Sequence, residues 1–205
     1  ALPNFYDVLL ARAFGNYRSL LRAVTLHPSM GFYLSHVNNR KADPDNNIYP
    51  DENFARENMQ LFSIGLYQMN PDGSYKYDAN GDPIPTYTDD DIREFAKVFT
   101  GLSWGGANAR FGRRWANYLV PMEMFDEYHE QGTKKLLNGF EIPAGQTGME
   151  DIEDAIDNVF NHSNVGPFIG RQLIQRLVTS NPSPQYVRRV AEAFADNGLG
   201  VRGDM

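Results

Sequence analysis

The sequence predicts a mainly α-helical domain: an irregular multi-helix fold with an inserted β-hairpin at about residues 70–87 and a loop-rich segment with short strands at about 103–147. Three observations predict it. Apolar residues recur at three- and four-residue spacing over most of the chain, the signature of helices with one buried face. An Asn-Gly pair stands between two short runs rich in tyrosine and isoleucine, which is a hairpin signal. Between residues 101 and 147 glycines and aromatics accumulate with no sustained period.

Taken in order, Val8, Leu9, Ala13, Leu20, Leu21 and Val24 form a helical stripe that runs to His27, where Pro28 interrupts it. Pro28 suits the first turn of a short helix carrying Met30, Phe32, Tyr33, Leu34 and Val37. Asn38–Pro50 is polar, with two prolines, and reads as a long loop. A helix then starts at Pro50 or Asp51, with Phe54, Asn58, Leu61, Phe62, Gly65 and Leu66 on one face. Asn70-Pro-Asp-Gly73 is a turn, and Asn80-Gly81 predicts a type I′ hairpin turn in which both residues take positive φ. Pro83 and Pro85 confine this hairpin to an edge or a flap.

Thr88 is a predicted N-cap, followed by Asp89, Asp90 and Asp91 where carboxylates complement the helix dipole. Ile92, Phe95, Ala96 and Phe99 continue that helix. Two short strands are expected in 101–147, with Asn117–Val120 a candidate run. Ile152, Ala155, Ile156, Val159 and Phe160 give another helix, with Glu150, Asp151, Glu153, Asp154 and Asp157 on its outer face. A stripe of Ile169, Leu173, Leu177 and Val178, and then one of Val187, Val190, Ala191 and Phe194, complete the set. No internal period of 20–50 residues occurs, which excludes a solenoid.

Composition narrows the class. The 205 residues are 41% hydrophobic and 22% charged, values of a globular chain of one domain. Residues 1–205 read as a single domain whose two ends look like those of a longer chain. No apolar run approaches the ~18–20 residues of a membrane span. The absence of cysteine excludes disulfides, thiolate zinc sites and a Cys nucleophile. The net charge of −7 is concentrated: residues 41–91 hold eleven acidic and three basic side chains. The rest of the chain is close to neutral and carries no basic stripe of the size a phosphate-tracking surface needs, so no nucleic-acid partner is expected. The one basic-aromatic cluster, Arg110–Trp115, reads more simply as a solvated loop with Trp115 tucked into the core.

Several segments together resemble a bacterial family known as domain of unknown function 1800. They are Phe14-Gly-Asn16, His27-Pro-Ser-Met30, Asp51–Gly65, Phe99-Thr-Gly101 with Trp104, His129-Glu-Gln-Gly-Thr-Lys134 with Leu136, Leu137 and Gly139, and Pro167–Leu173. The likeness spans nearly the whole chain in order. The family often has Asp after the His, where this chain has Glu130. The resemblance implies no particular reaction. It does imply a protein often exported by Gram-negative bacteria, hence periplasmic or extracellular, and found beside a second, sulfatase-like family.

Two clusters could carry chemistry. Glu52 and Arg56 lie at i, i+4 on one helix, with Glu57 about 100° further round, so a carboxylate near a guanidinium could act as base or ligand. The plainer reading is an ion-pair network that pins the preceding loop. His129-Glu130 could relay a proton or bind one divalent cation, with Lys134 or Lys135 to neutralise an anion, but Thr133 stands where a His-Glu-x-x-His motif requires histidine. The plainer reading is a histidine hydrogen-bonded in a loop. Of the other histidines, His27 reads as a boundary residue and His36 as a surface one. His162 reads as the partly charged end of a helix. Asp78–Asp82 resembles the start of a calcium loop, but Pro83 replaces the required glycine, which favours a hairpin turn.

The functional expectation is a non-enzymatic surface or periplasmic assembly domain whose partner is a protein: another copy of itself or the rest of its own chain. The alternative is a hydrolase or metal-assisted enzyme that brings Glu52, Arg56 and Glu57 against His129, Glu130 and Lys134. The discriminating geometry is whether His129 meets Glu57 or Arg56 in an open pocket or is sealed in the core.

Overall fold

The computed structural model describes residues 1–112 and 115–205; Arg113 and Arg114, the middle of the basic-aromatic cluster, lie outside the described residues. Among the described residues there are eight α-helices: α1 (Leu2–Leu10), α2 (Tyr17–Thr25), α3 (Pro28–Tyr33), α4 (Asn53–Gln60), α5 (Asp89–Val98), α6 (Gly148–Phe160), α7 (Val165–Leu177) and α8 (Pro184–Ala195). Two antiparallel strand pairs accompany them. β1 (Leu102–Ser103) pairs with β2 (Glu123–Met124), and β3 (Lys134–Lys135) with β4 (Glu141–Ile142). The fold is mainly helical with small strand elements, as the periodicity predicts.

The core is built around α5 and α6. Ile92, Phe95, Ala96 and Val98 of α5 and Ile152, Ala155, Ile156 and Val159 of α6 are fully or almost fully buried. Helix α5 packs on α4, α6 and β3, and α2 packs on α6. The two helices start alike: Thr88 and Thr147 each close a capping box, with Asp91 and Glu150 respectively. Helices α7 and α8 form the tightest pair. Gly166 and Gly170 permit it, since a Cβ at either would come within 3.1 Å of Ala191 O or 3.0 Å of Val190 Cγ1.

Local differences from the expected elements have local causes. The first stripe is two helices rather than one, because Asn16 caps α2 by accepting from Arg18 N–H, and its amide donates to Arg202 O at 2.7 Å. Helix α4 ends at Gln60, which leaves Leu61 and Leu66 about half exposed. The left-handed Gly65 (φ +71°) then reverses the chain where a Cβ would strike the Phe168 ring. On α7 the packed residues are Ile169, Gly170 and Ile174, and Leu173, Leu177 and Val178 face outward at 40, 77 and 66% exposure. Close approach through the two glycines sets which face α7 presents to α8.

The hairpin region is a three-segment ribbon. Lys76 N–H donates to Gln68 O, Ile84 N–H to Lys76 O and Gln68 N–H to Ile84 O, closing a ring of three backbone bonds. Its tip is not the type I′ turn expected: Gly81 has φ +90° but Asn80 is not left-handed. The Asp78 carboxylate accepts from Asn80 N–H (2.8 Å) and Asp82 N–H (3.0 Å), and this satisfies the backbone without a second positive φ. Hydrogen bonding to these N–H groups also holds the Asp78 carboxyl below its ordinary value.

In the loop-rich segment the strands form two pairs, and Asn117–Val120 is not among them. Trp115 is 78% exposed rather than tucked into the core; the buried tryptophan is Trp104, edge-on to Tyr118.

Candidate functional site

The groups with most chemical potential gather at the junction of β3, the N-terminus of α6 and the loop after α5. His129, Lys134 and Asp151 have side chains 0, 1 and 1% exposed. Asp151 Oδ2 accepts from His129 Nε2 at 2.9 Å and Lys134 Nζ at 2.6 Å, and Oδ1 accepts from Gln146 at 3.2 Å. The Lys134 ammonium also donates to the carbonyls of Glu130 (2.6 Å) and Gly132 (2.9 Å), so its three protons are placed. His129 Nδ1 donates to Thr100 O at 2.9 Å. Both ring nitrogens therefore have an oxygen within hydrogen-bond distance. Burial alone would raise the Asp151 carboxyl, but the hydrogen bonds and charges of His129 and Lys134 outweigh it and hold it below its ordinary value.

The centre is sealed and internally satisfied. It ties the loop after β2 to the first turn of α6 and, through Thr100, to the exit of α5; Glu130 N–H completes that tie by donating to Thr100 Oγ1 at 2.9 Å. The sequence places Asp151 on the outer face of α6 with its acidic neighbours, but it is buried. The signal for it lies in the helical phase: Gly148, Asp151, Ile152 and Ala155 follow one another at three, one and three residues on the buried face.

The other predicted cluster is a surface network. Arg56 pairs with Glu52 at 3.3 Å and approaches Asp89 at 4.0 Å; Arg93 lies 3.9 Å from Glu52 and pairs with Asp90 at 2.6 Å. These pairs connect the start of α4 to the first turn of α5, where exposed ion pairs are each worth little. Glu57 points elsewhere, with one carboxylate oxygen enclosed and without a hydrogen-bond partner, close enough to Tyr87 to act on it. Burial first, with Glu57 and Asp89 adding to it, pushes the Tyr87 phenol up.

The structure thus divides the six sequence-selected residues. Glu52 and Glu130 line one cleft of about 310 Å³, together with Tyr49, Arg93 and Lys97. His129 and Lys134 lie in the sealed centre, Arg56 belongs to the surface network, and Glu57 faces Tyr87. For the metal reading of His129 and Glu130, the Glu130 carboxylate accepts from Gly132 N–H at 3.1 Å and both His129 nitrogens are engaged. Among the described residues no group of three or more His, Asp or Glu side chains is placed to hold a metal ion.

The remaining histidines are structural. His36 is 1% exposed rather than on the surface: it stacks on Phe54 at 3.8 Å and donates from Nε2 to Thr25 O, and burial lowers its pKa to about 4. His27 caps α3 by accepting from Ser29 N–H and donates to Asn4. His162 is not a charged helix end. It accepts from Asn164 N–H, and burial with Lys76 and Arg202 nearby lowers its pKa.

A family model described as protein of unknown function (DUF1800) matches residues 2–204, and the chain belongs to that family. No curated protein and no solved structure matches it. Among the described residues no helix is long and apolar enough to cross a membrane.

Proposed function

We propose that this protein is a non-catalytic assembly domain that pairs with a second copy of itself through α1. The observation that carries the reading is the outer stripe of that helix. Leu2, Tyr6 and Leu10 lie at i, i+4 and i+8 and are 64, 62 and 72% exposed, followed by Phe14 at 92%. No residue of α1 is buried, and its only charged side chain is Asp7. The order Leu-Tyr-Leu is symmetric about Tyr6, so an antiparallel two-fold pairing sets Leu2 against Leu10 of the other copy and Tyr6 against its equivalent. Low charge and exposed aromatics suit the core of a protein interface, whereas an anionic membrane surface would call for lysines or arginines that α1 lacks. Phe32 and Tyr33 on α3, 66 and 75% exposed across an apolar hollow from Leu2, can widen the contact.

The sealing of His129 and Lys134 supports the non-catalytic half of the reading, since neither side chain reaches solvent. A periplasmic or extracellular setting is part of the proposal and is supported by the family resemblance. Sedimentation velocity over a concentration series tests the assembly: a monomer–dimer equilibrium is expected in the wild type. Tyr6→Asp should abolish it with little change in melting temperature, because Tyr6 is mostly exposed in the monomer. A monomer at every concentration, or a dimer indifferent to Tyr6→Asp, overturns the reading.

The hydrolase or metal-assisted alternative keeps one favourable observation, the Glu52–Glu130 cleft. It predicts a turnover or a bound divalent cation lost in Glu130→Gln with the fold intact.

A further inference from the structure

The inner side of α1 covers a different feature. A cleft of about 340 Å³ runs between α1, α2 and the segment 119–121. Val8 of α1 and Arg12 just beyond it form one wall, Ser19 and Arg22 of α2 with Leu26 just after it the second, and Val120 with its neighbours the third. Every ionised group in this lining is a cation, in a chain whose net charge is −7. Arg22 is engaged by Glu153 from outside the cleft. Among the described residues Arg12 has no carboxylate partner; the one hydrogen bond of its guanidinium there is a long one, 3.4 Å, to Val8 O. His27, at the end of the cleft, adds no charge: burial, and then the nearby N-terminal amine, lower its pKa, and its Nδ1 is occupied as an acceptor. Asn4 and Ser19 add neutral polar groups, and the rest of the lining, from Val8 through Leu26 to Val120, is apolar.

We infer that this cleft is a binding site for an amphiphilic carboxylate, with the anionic head on Arg12 and Ser19 and the apolar body against Leu26 and Val120. The argument is one of complementarity. A half-buried guanidinium without a carboxylate is poised for a bidentate anion. The apolar walls exclude a bare phosphate or a polyanion as the best fit, since neither covers them. The volume lies at the lower end of the range for small-molecule sites, which suits a short acyl chain rather than a cofactor. The inference does not depend on self-association. Residues 4, 8 and 12 line the cleft, and they are about 200° around the helix from 2, 6 and 10.

Calorimetric titration with sodium octanoate tests it, with 1-octanol and inorganic phosphate as the two controls that each lack one half of the ligand. One saturable octanoate site is expected. Arg12→Gln should weaken it at least about tenfold, the scale of a lost charge-assisted hydrogen bond. Leu119→Asp, which puts a negative charge on an exposed residue of the cleft wall, should weaken it as well, with unchanged melting temperatures certifying both folds. Octanol and phosphate should each bind at least about tenfold more weakly than octanoate. The inference is overturned by the absence of saturable octanoate binding, by an unaffected Arg12→Gln, or by phosphate binding as tightly as octanoate, which would make this a simple anion cluster.

Discussion

Asp151→Asn isolates the energetic role of the sealed centre, because it is nearly isosteric and opens no cavity. Among the described residues Asp151 is the one carboxylate paired with Lys134, at 2.6 Å and about 1% exposure on both sides. The substitution leaves an ammonium in the core with neutral oxygens alone, the carbonyls of Glu130 and Gly132 and the new side-chain amide. Removing one partner of a buried ion pair costs about 3–5 kcal/mol, most of it the penalty for the uncompensated charge. Domains of ordinary size hold about 5–15 kcal/mol in total, so the variant should lose a large part of its stability. At about 2–4 °C per kcal/mol for a chain of this length, the melting temperature should fall by roughly 10 °C. Urea unfolding of wild type, Asp151→Asn, Lys134→Met and the double variant measures the coupling directly. The double variant should be more stable than the two single losses add up to, because it removes the stranded ammonium. A loss below about 1 kcal/mol for Asp151→Asn, or strict additivity in the cycle, would refute the view that this pair holds the fold together.

Acidification should weaken the protein well before its carboxylates titrate. His36 is neutral in the core with a folded pKa of about 4 against 6.5 when exposed, so the unfolded chain binds more protons in that window; its contribution is full above pH 6.5 and declines until about pH 4, by about 3 kcal/mol in all. His27 and His162, both lowered, act with the same sign. Urea midpoints between pH 7 and pH 4 should show that slope, and His36→Gln should flatten it; an unchanged slope would show that His36 is not the source. Gly101→Ala and Gly139→Ala separate backbone strain from crowding. Both glycines are left-handed (φ +87° and +72°), but a Cβ at Gly101 would lie 2.8 Å from Met124 Sδ and 3.0 Å from His129 Cβ, whereas at Gly139 it meets nothing within 4 Å. Expected losses are about 1–2 kcal/mol at Gly139 from strain alone and about 2–4 kcal/mol at Gly101; equal losses in the two melts would rule out crowding against His129.

What the sequence revealed follows from how local each signal is. Helices α5 and α6 were legible because their apolar residues keep one phase through three turns and their caps lie beside them, as Thr88 and Asp89–Asp91 show. The break between α1 and α2 was legible in principle from Gly15-Asn16, but a continuous apolar stripe masked it. His36 could not be placed from its surroundings, since its burial depends on Thr25 and Phe54, which sit 11 positions before it and 18 after it. The four strands have two residues each, too few for any period to appear. The candidate site was half legible: the His129–Lys134 segment stood out, but its carboxylate was sought in Glu130, next in sequence, rather than in Asp151. Glu130 and His129 turn to opposite sides of the chain, one to a cleft and one to the core, as neighbours in extended structure do.

The two proposals meet on α1 and make each other testable. In the first its outer stripe pairs with a second copy; in the second its inner side closes the ligand cleft around Arg12. The helix buries no residue of its own and is held largely by half-buried contacts such as Asn4 to His27 at 2.9 Å and Phe5 edge-on to the same ring. On the two proposals each partner adds contacts that hold this helix in place. An amphiphile that fixes α1 over the cleft reduces the ordering cost of dimerisation, and dimerisation returns the same factor to the amphiphile. Octanoate should therefore tighten self-association, measured by sedimentation, by the square of the ratio of octanoate affinities of the wild-type dimer and the monomeric Tyr6→Asp variant, because each dimer holds two sites. Equal octanoate affinities of dimer and monomer, with self-association indifferent to octanoate, would mean that the two faces of α1 act without reference to one another.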